Sequence, residues 1–455
     1  MTATDLTRNT SRCALIDELT CPYCGGGLVA EKGVGDGSDQ LEYGILTCGC
    51  GDAPVVGGIV WLSRRHGSIA PQDDPVLSRV LRRLRDEDYE GALCEALLSS
   101  FRDRYRQAAT AVERVGGRPP EWLWNQARQR LMREVVQDPG LTFAGALALL
   151  RNGPYARYLY HRFANPSLLA SIPVILLLKE LLEERGPRVL DIGGGCGHAS
   201  FLTKRFFPEA QVILTDADFV NLYLARRFIA PESVCMCLDA EARMPFAPAS
   251  IDAVFCMDAF HYVREKVGLV EELRRTVRPD GMWLFPHLHN ARADNPTPGY
   301  PLSPRGYARA FAGVPMRMFS EEMMLREFHG WGGVDLSFAS EDLFAIDAAA
   351  LTMIGGSESL WRVHNFSDWY PRRLGDLGLN TVYESGPAGV GPLKWPTHEL
   401  RQECRLAEEF LPLQPSIQTE LIAGLRNGSL SNADQDAAQR FAREFVLVPM
   451  PPGYR

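Results

Sequence analysis

The chain has 455 residues, 46% of them hydrophobic and 23% charged, with a formal net charge of −8. That length is too great for one compact core and predicts roughly two to four domains. The acidic balance disfavours broad electrostatic capture of nucleic acid or of an anionic membrane, so neither is expected as a partner.

The opening residues, MTATDLTRNTSRCALIDEL, lack the apolar stretch of a secretory leader. The longest apolar run, 168–178, is too short to span a bilayer and contains Pro173. A soluble, cytoplasmic protein is expected, in which the 11 cysteines serve as thiols or metal ligands rather than disulfides. Residues 1–65 are rich in cysteine and glycine, with short strand-like runs such as LEYGILTC and PVVGGIVWL. From 66 to 184 the pattern turns helical: VLSRVLRRLRDEDYEGALCEALLSSF, EWLWNQARQRLMREVV, LTFAGALALL and SLLASIPVILLLKELLEE place apolar residues three and four apart. Arg64-Arg65-His66 between these regions is expected to be a solvated turn.

An alternation of strands and helices follows over 185–355. RVLDI, QVILTD, ESVCMCL, IDAVFCM and GMWLFPH are short buried-type runs, separated by helices such as HASFLTKRFF, DFVNLYLARRFI and VGLVEELRRTV. This βαβ alternation predicts an α/β fold with a parallel sheet covered on both faces. A loop rich in Pro and Asn occupies an insertion over 287–318, and Ser320 is a plausible N-cap for SEEMMLREFHGWGG. VDLSF and AIDAAALTMI read as a terminal pair of strands, and 356–455 as a separate C-terminal extension.

Two segments carry chemistry. The first is TCPYCGGGL with LTCGCG, which gives Cys21, Cys24, Cys48 and Cys50. Two close pairs across a loop fit a tetrahedral four-cysteine zinc site whose metal stabilises a domain too small for a core of its own. A ribbon that has lost its metal, or unpaired buried thiols, is the alternative. The second is RVLDIGGGCGH, where a buried strand runs into Gly193, Gly194, Gly195 and Gly197. Glycine permits positive φ and lets a ligand approach the bare backbone, here at the carboxyl end of a strand. The next strand ends at Asp216, 23 residues beyond Gly193, a spacing suited to gripping ribose hydroxyls. A dinucleotide site wants G-x-G-x-x-G, but His198 stands where the third glycine belongs. A cofactor with a cationic amino-acid end instead suits the acidic Asp191 just before the turn. A purely structural glycine turn is the remaining alternative.

The motifs over about 186–285 resemble, in their order, the core of class I, Rossmann-like S-adenosylmethionine-dependent methyltransferases. VLDIGGGCG is similar to that family's first motif, TDAD to its ribose-binding second, and CLDAEARMPFAPASIDAVFCMDAFHYV to the stretch from the adenine to the fourth strand. The resemblance implies a seven-stranded sheet closed by the VDLSF/AIDAAALTMI hairpin. It also implies a cofactor backed by Gly193, Gly195 and Gly197, with Asp216 on the ribose, Ala217 beside it, and Asp239 with Ala240 at the adenine. Asp258, which ends the fourth strand, joins this set. The cysteine segment resembles the small zinc-ribbon activators of RNA and protein methyltransferases, which implies a structural or docking role.

Methyl transfer from a sulfonium is an in-line displacement that needs alignment, dryness and sometimes a base. His261 after the fourth strand and His289 at the end of the fifth are the candidate catalytic residues, each with a packing or loop-ordering role as alternative. His287 and His289 are expected to face opposite sides of the sheet, which argues against a shared metal and leaves one in the cleft. Tyr300 and Tyr307 are lid candidates. The expected activity is methylation of a small organic, specialised-metabolite acceptor. The alternatives are RNA methylation with a zinc module, or a non-methylating use of the same cofactor. Oligomeric state is not legible.

Overall fold

The computed structural model describes residues 16–35, 41–64, 74–151, 153–182, 186–295, 297–338, 348–368, 370, 376–386, 389–427 and 431–455. Twelve strands position the site: β1 (Val29–Gly35), β2 (Leu41–Cys48), β3 (Gly51–Val56), β4 (Ile59–Trp61), β5 (Arg188–Ile192), β6 (Gln211–Asp216), β7 (Val234–Cys237), β8 (Ile251–Phe255), β9 (Val277–His289), β10 (Met316–Ser320), β11 (Gly333–Asp335) and β12 (Ala350–Gly355). Eleven of them, all but β11, form one sheet in the order β1-β2-β3-β4-β7-β6-β5-β8-β9-β12-β10.

The middle of that sheet, from β7 to β9, is parallel, as the βαβ alternation predicts. Its strands alternate between two cores. Val189, Val212, Leu214, Cys235 and Cys237 join the core under the helical layer, while Leu190, Ile213 and Met236 join the core on the opposite face. Burial on both faces is why these strands read as unbroken apolar runs. The strand order turns outward in both directions from β5 and β8, so the crevice opens above the carboxyl ends of these two strands.

Two features depart from expectation. VDLSF does not close the sheet: β11 pairs with Val363–Asn365 in a separate ladder. The closing antiparallel pair is β12 against β9 and β10 against β12. The strand β10, MRMFS, is short, carries a charged Arg317 and directly abuts a helix, so its pattern of burial is only weakly visible in sequence. The cysteine-rich segment, in turn, is continuous with the main sheet. β4 runs parallel to β7 with Ile59 beside Cys235 and Trp61 beside Cys237, and Trp61 stacks on Phe219 at 4.6 Å.

The helical region builds α1 (Pro75–Arg85), α2 (Tyr89–Leu98), α3 (Arg104–Arg114), α4 (Glu121–Leu131), α5 (Phe143–Leu150), α6 (Gly153–Tyr160) and α7 (Pro166–Leu176). Asp74, Asp88, Asp103, Thr142 and Asn165 cap five of these helices by accepting from first-turn amides. Every residue of α7 is buried, because it packs against β9 and against the helices His198–Phe206 and Glu321–Trp331. The C-terminal segment shares the helical-side core through Phe445, Val446 and Tyr454. Among the described residues no helix is long and apolar enough to cross a membrane.

Candidate functional site

The glycine turn adopts the conformation its composition allows. Gly193, Gly195 and Gly197 have φ of 64°, 57° and 79°, in the left-handed region that side-chain-bearing residues avoid. The Gly194 amide donates to the Thr215 carbonyl at 3.0 Å, and the Gly195 amide donates to Asp216 Oδ2 at 2.9 Å. The turn and the carboxylate on the neighbouring strand are therefore in direct contact. A Cβ on Gly194 would collide with Leu214 and the Asp191 carboxylate, whereas one on Gly195 would meet nothing within 4 Å. The room for a ligand thus lies over Gly195.

Two carboxylates flank the turn, Asp191 buried against Gly194 and Asp216 half-buried at the Gly195 amide. Asp191 accepts from Ser200 Oγ at 2.7 Å through one oxygen, while its Oδ1 has no partner. Burial raises its pKa to about 7. Asp216 is likewise raised to about 6 by burial, against amide hydrogen bonds from Asp218 and Gly195 that oppose the shift. An orphaned, dry carboxylate oxygen and a bare glycine backbone suit the cationic amino-acid end of adenosylmethionine and its adjoining ribose. Ala217 is exposed at the tip of β6, and the half-buried Asp239 and Ala240 follow β7, whose Cys237 registers with Asp216. The residues expected around the adenine thus share one edge of the crevice.

The helical region over 66–184, expected as a connector or substrate cap, reaches this crevice through four side chains. Tyr155 and Tyr158 lie on α6, with Arg151 in the extended residue that ends α5 and Arg162 in the turn after α6. Arg151 pairs with Asp218 at 2.8 Å and with Asn221 at 2.6 Å, and the Asn221 amide donates to Tyr155 Oη at 2.9 Å. Tyr158 Oη donates to Asp258 Oδ2 at 2.5 Å, and Arg162 reaches the same oxygen at 3.0 Å. These side chains therefore link Asp218 and Asn221, just after β6, to the Asp258 carboxylate after β8.

Asp258 sits at φ 54° in the loop after β8, beside Ala259, whose Cβ limits the space above Gly193. Burial would raise its pKa, but His287 and Arg162 hold the carboxyl well below the usual range. His287 Nε2 and His289 Nε2 stand 3.6 and 3.5 Å from Asp258 Oδ1. The two histidines do not face apart, contrary to expectation: residues two apart on a strand share a face. A bulge in β9 selects that face. Its register against β12 slips between Leu351 and Met353, and His287 takes φ 56°. The slip leaves Phe285 and Leu288 in the same core and turns both imidazoles toward Asp258. His287 Nδ1 meets Glu321 Oε2 at 2.6 Å. Burial would lower the pKa of His287, but Glu321 and Asp258 override it and raise it to about 9.

His261 is fully buried and stacks on His289 at 3.7 Å, and neither of its ring nitrogens has a partner. Burial lowers its pKa to about 3, so it stands as a neutral imidazole. His289 is also buried, with Nδ1 unpartnered. Tyr307 is a wall rather than a lid, since it is buried and its hydroxyl donates to the His289 carbonyl at 2.8 Å. Tyr300 is half-exposed, and its amide donates to the His261 carbonyl at 2.7 Å.

The cysteine cluster assembles as its spacing predicts. The four sulfurs of Cys21, Cys24, Cys48 and Cys50 lie within 4.8 Å of one another, with Cys21–Cys50 at 3.5 Å and Cys48–Cys50 at 3.4 Å. Tetrahedral sulfurs at about 2.3 Å from zinc stand roughly 3.8 Å apart, so the donor set fits that ion. The Gly26 amide lowers the Cys24 thiol to about 7. Arg64 is not merely solvated. Its Nη2 lies 3.1 Å from Cys50 Sγ, its backbone amide donates to Tyr23 Oη at 3.0 Å, and its guanidinium covers the Tyr23 ring at 4.0 Å. Arg65 and His66 lie outside the described residues. Cys94, Cys196, Cys235, Cys237, Cys256 and Cys404 are buried core thiols, and Cys13 lies outside the described residues.

Comparison with known proteins agrees with this geometry. The family described as a methyltransferase domain matches residues 190–285. A malonyl-[acyl-carrier protein] O-methyltransferase from Xylella fastidiosa is 33% identical over 107 residues, covering 23% of this chain and 36% of that protein. The Marinomonas protein of the same name is 25% identical over 263 residues, covering 56% of this chain and 85% of its own. A solved methyltransferase from Aquifex aeolicus is 17% identical with a TM-score of 0.31, covering 44% of this chain and 97% of that one. The chain spans little more than a third of the first curated relatives, 36% and 40% of their lengths. Residues 190–285 thus match a methyltransferase domain, and the glycine turn, the Asp216 contact and the parallel strand order are those expected of a class I, Rossmann-like S-adenosylmethionine-dependent domain.

Proposed function

We propose that the whole chain is a methyltransferase that moves the methyl group of adenosylmethionine to an oxygen of a small organic acceptor. The observation that carries this reading is the Gly195–Asp216 contact at 2.9 Å beneath open space, with the Asp258 loop at its side. Adenosylmethionine, when bound, supplies an electrophilic methyl group. Asp216, held in place by the Gly195 amide, would take the ribose hydroxyls, and Asp191 would meet the ammonium. Asp239 and Ala240 would border the adenine. Tyr155 and Tyr158 on α6 would roof the site and exclude water, while Asp258 and the histidines of β9 would face the acceptor. With its pKa lowered to about 3 by burial, His261 is a poor proton acceptor, and His289 would order the acceptor. Several relatives are named O-methyltransferases, which supports oxygen as the accepting atom.

The four cysteines would hold one structural zinc ion, and the ribbon would buttress the adenine edge. The net charge of −8 supports a small-molecule acceptor over RNA. The reading is tested by calorimetry of the metal-loaded protein with adenosylhomocysteine, followed by assay of its release from adenosylmethionine with hydroxy and carboxylic acids. Saturable binding and acceptor-dependent release are expected. Absence of any heat of binding rejects the assignment.

A further inference from the structure

We propose that Asp258, His287 and His289 form a binding site for a divalent transition-metal ion inside the acceptor pocket, with Glu321 as the carboxylate that orients His287. The three side chains offer donor atoms within 4.8 Å of one another. Their two measured separations from Asp258 Oδ1, 3.6 and 3.5 Å, are long for hydrogen bonds. They are close to the roughly 3.0–3.4 Å that donors keep around a shared ion at about 2.1 Å.

Every neighbour of the triad prepares it for that task. Tyr158 and Arg162 both occupy Oδ2 of Asp258, which leaves Oδ1 facing the imidazoles. Glu321 at 2.6 Å takes Nδ1 of His287, which fixes Nε2 as the nitrogen presented inward. The bulge at His287 accepts backbone strain, of order 1–3 kcal/mol for a left-handed non-glycine residue, and turns both imidazoles toward Asp258. Unpartnered ring nitrogens remain in the same buried space: His289 lacks a partner at Nδ1, and one further imidazole, His261, stacked on it at 3.7 Å, lacks one at both nitrogens.

Two imidazoles and one carboxylate select zinc, cobalt or ferrous iron over magnesium or calcium, which prefer oxygen alone. Three protein ligands leave coordination positions open, and such an ion binds and acidifies a hydroxyl-bearing ligand. The ion's use by an oxygen acceptor rests on the methyltransferase reading given above, but its binding does not.

The test is a Co2+ titration of the full chain with zinc already in the cysteine cluster. The expected result is one further equivalent bound, with ligand-field absorption, no sulfur charge transfer, and histidine nitrogen in its X-ray absorption. H289Q should weaken that uptake by about 100-fold or more, and E321Q, which removes only the orienting carboxylate, by about 10–100-fold. Calorimetry with adenosylhomocysteine on the same samples reports folding and tests the cofactor reading separately. No second equivalent in molar excess of Co2+, or a second ion bound through sulfur, overturns the proposal. Equal uptake by folded H289Q overturns it too. Uptake without adenosylhomocysteine binding supports the metal site and removes the methyltransferase reading instead.

Discussion

Asp191 and Asp216 are held where burial favours the neutral acid, at about 7 and about 6, yet a cationic ligand needs both ionised. The sign follows directly. In the free protein each carboxyl keeps its proton to higher pH than the ordinary value near 3.9, so ligand binding must release protons between about pH 5 and 7. Affinity for adenosylmethionine should climb by about tenfold or more across that interval and level off above it. Calorimetry in buffers of different ionisation heat would reveal the released protons. An affinity flat over the same range would contradict the assignment of Asp191, and Asp191→Asn should remove most of the slope. Both groups have raised values in the fold, so their contribution to stability is complete below about pH 4 and is lost as pH rises through about 7. Gly195→Ala probes the neighbouring backbone. At φ 57° an alanine costs about 1 kcal/mol, and its Cβ enters the open space. We predict a small fall in Tm alongside at least a roughly tenfold loss of cofactor affinity. A variant that binds normally would place the ligand elsewhere.

At the scale of elements, the parallel pairing of β4 with β7 joins the cysteine knuckle to the strand followed by Asp239 and Ala240, the residues proposed to border the adenine. The knuckle also reaches the following loop, since the Thr20 amide donates to the Pro245 carbonyl at 2.9 Å. Leu62 and Ser63 both donate to the Cys237 carbonyl at 2.8 Å. Small cysteine-bound domains draw their folding energy from the ion. Chelation should therefore open residues 16–64 to protease while 188–289 stays protected, and adenosylhomocysteine affinity should drop with it. A stripped protein that binds as tightly as the loaded one would show the ribbon to be an independent appendage. The pairing itself was hidden in the sequence. IVW reads equally as the end of a small ribbon, because nothing in three apolar residues tells which other strand will lie beside them.

The whole molecule is tied together by its last residues. Tyr454 is buried, and its hydroxyl lies 3.1 Å from His198 Nε2 and donates to the Tyr160 carbonyl at 2.9 Å. Its ring packs on Phe143 at 4.8 Å and Phe163 at 5.2 Å. The C-terminal segment thus pins the end of α6, which carries Tyr155 and Tyr158, to the first helix after the glycine turn. Tyr454→Ala should cost about 3–5 kcal/mol and weaken cofactor binding without touching the cofactor. Tyr454→Phe, which removes only the hydroxyl, should cost about 1 kcal/mol. Urea unfolding of the two variants measures both, and near-equal losses would mean that the ring contributes little.

The amino-acid sequence by itself determined the parallel α/β core, the glycine turn with its partner Asp216, and the gathering of four cysteines. Each depends on local rules: apolar runs for strands buried on both faces, glycine for positive φ, and paired sulfurs for one metal. Only the tertiary structure decided that β10 rather than VDLSF closes the sheet and that α6 roofs the crevice. The same holds for the bulge that carries His287 and His289 together to Asp258. These outcomes turn on contacts between segments far apart in the chain, such as Tyr158 with Asp258. One inserted residue in β9 reverses which side a side chain faces, and that slip is set by the register with β12, which no pattern within the strand records.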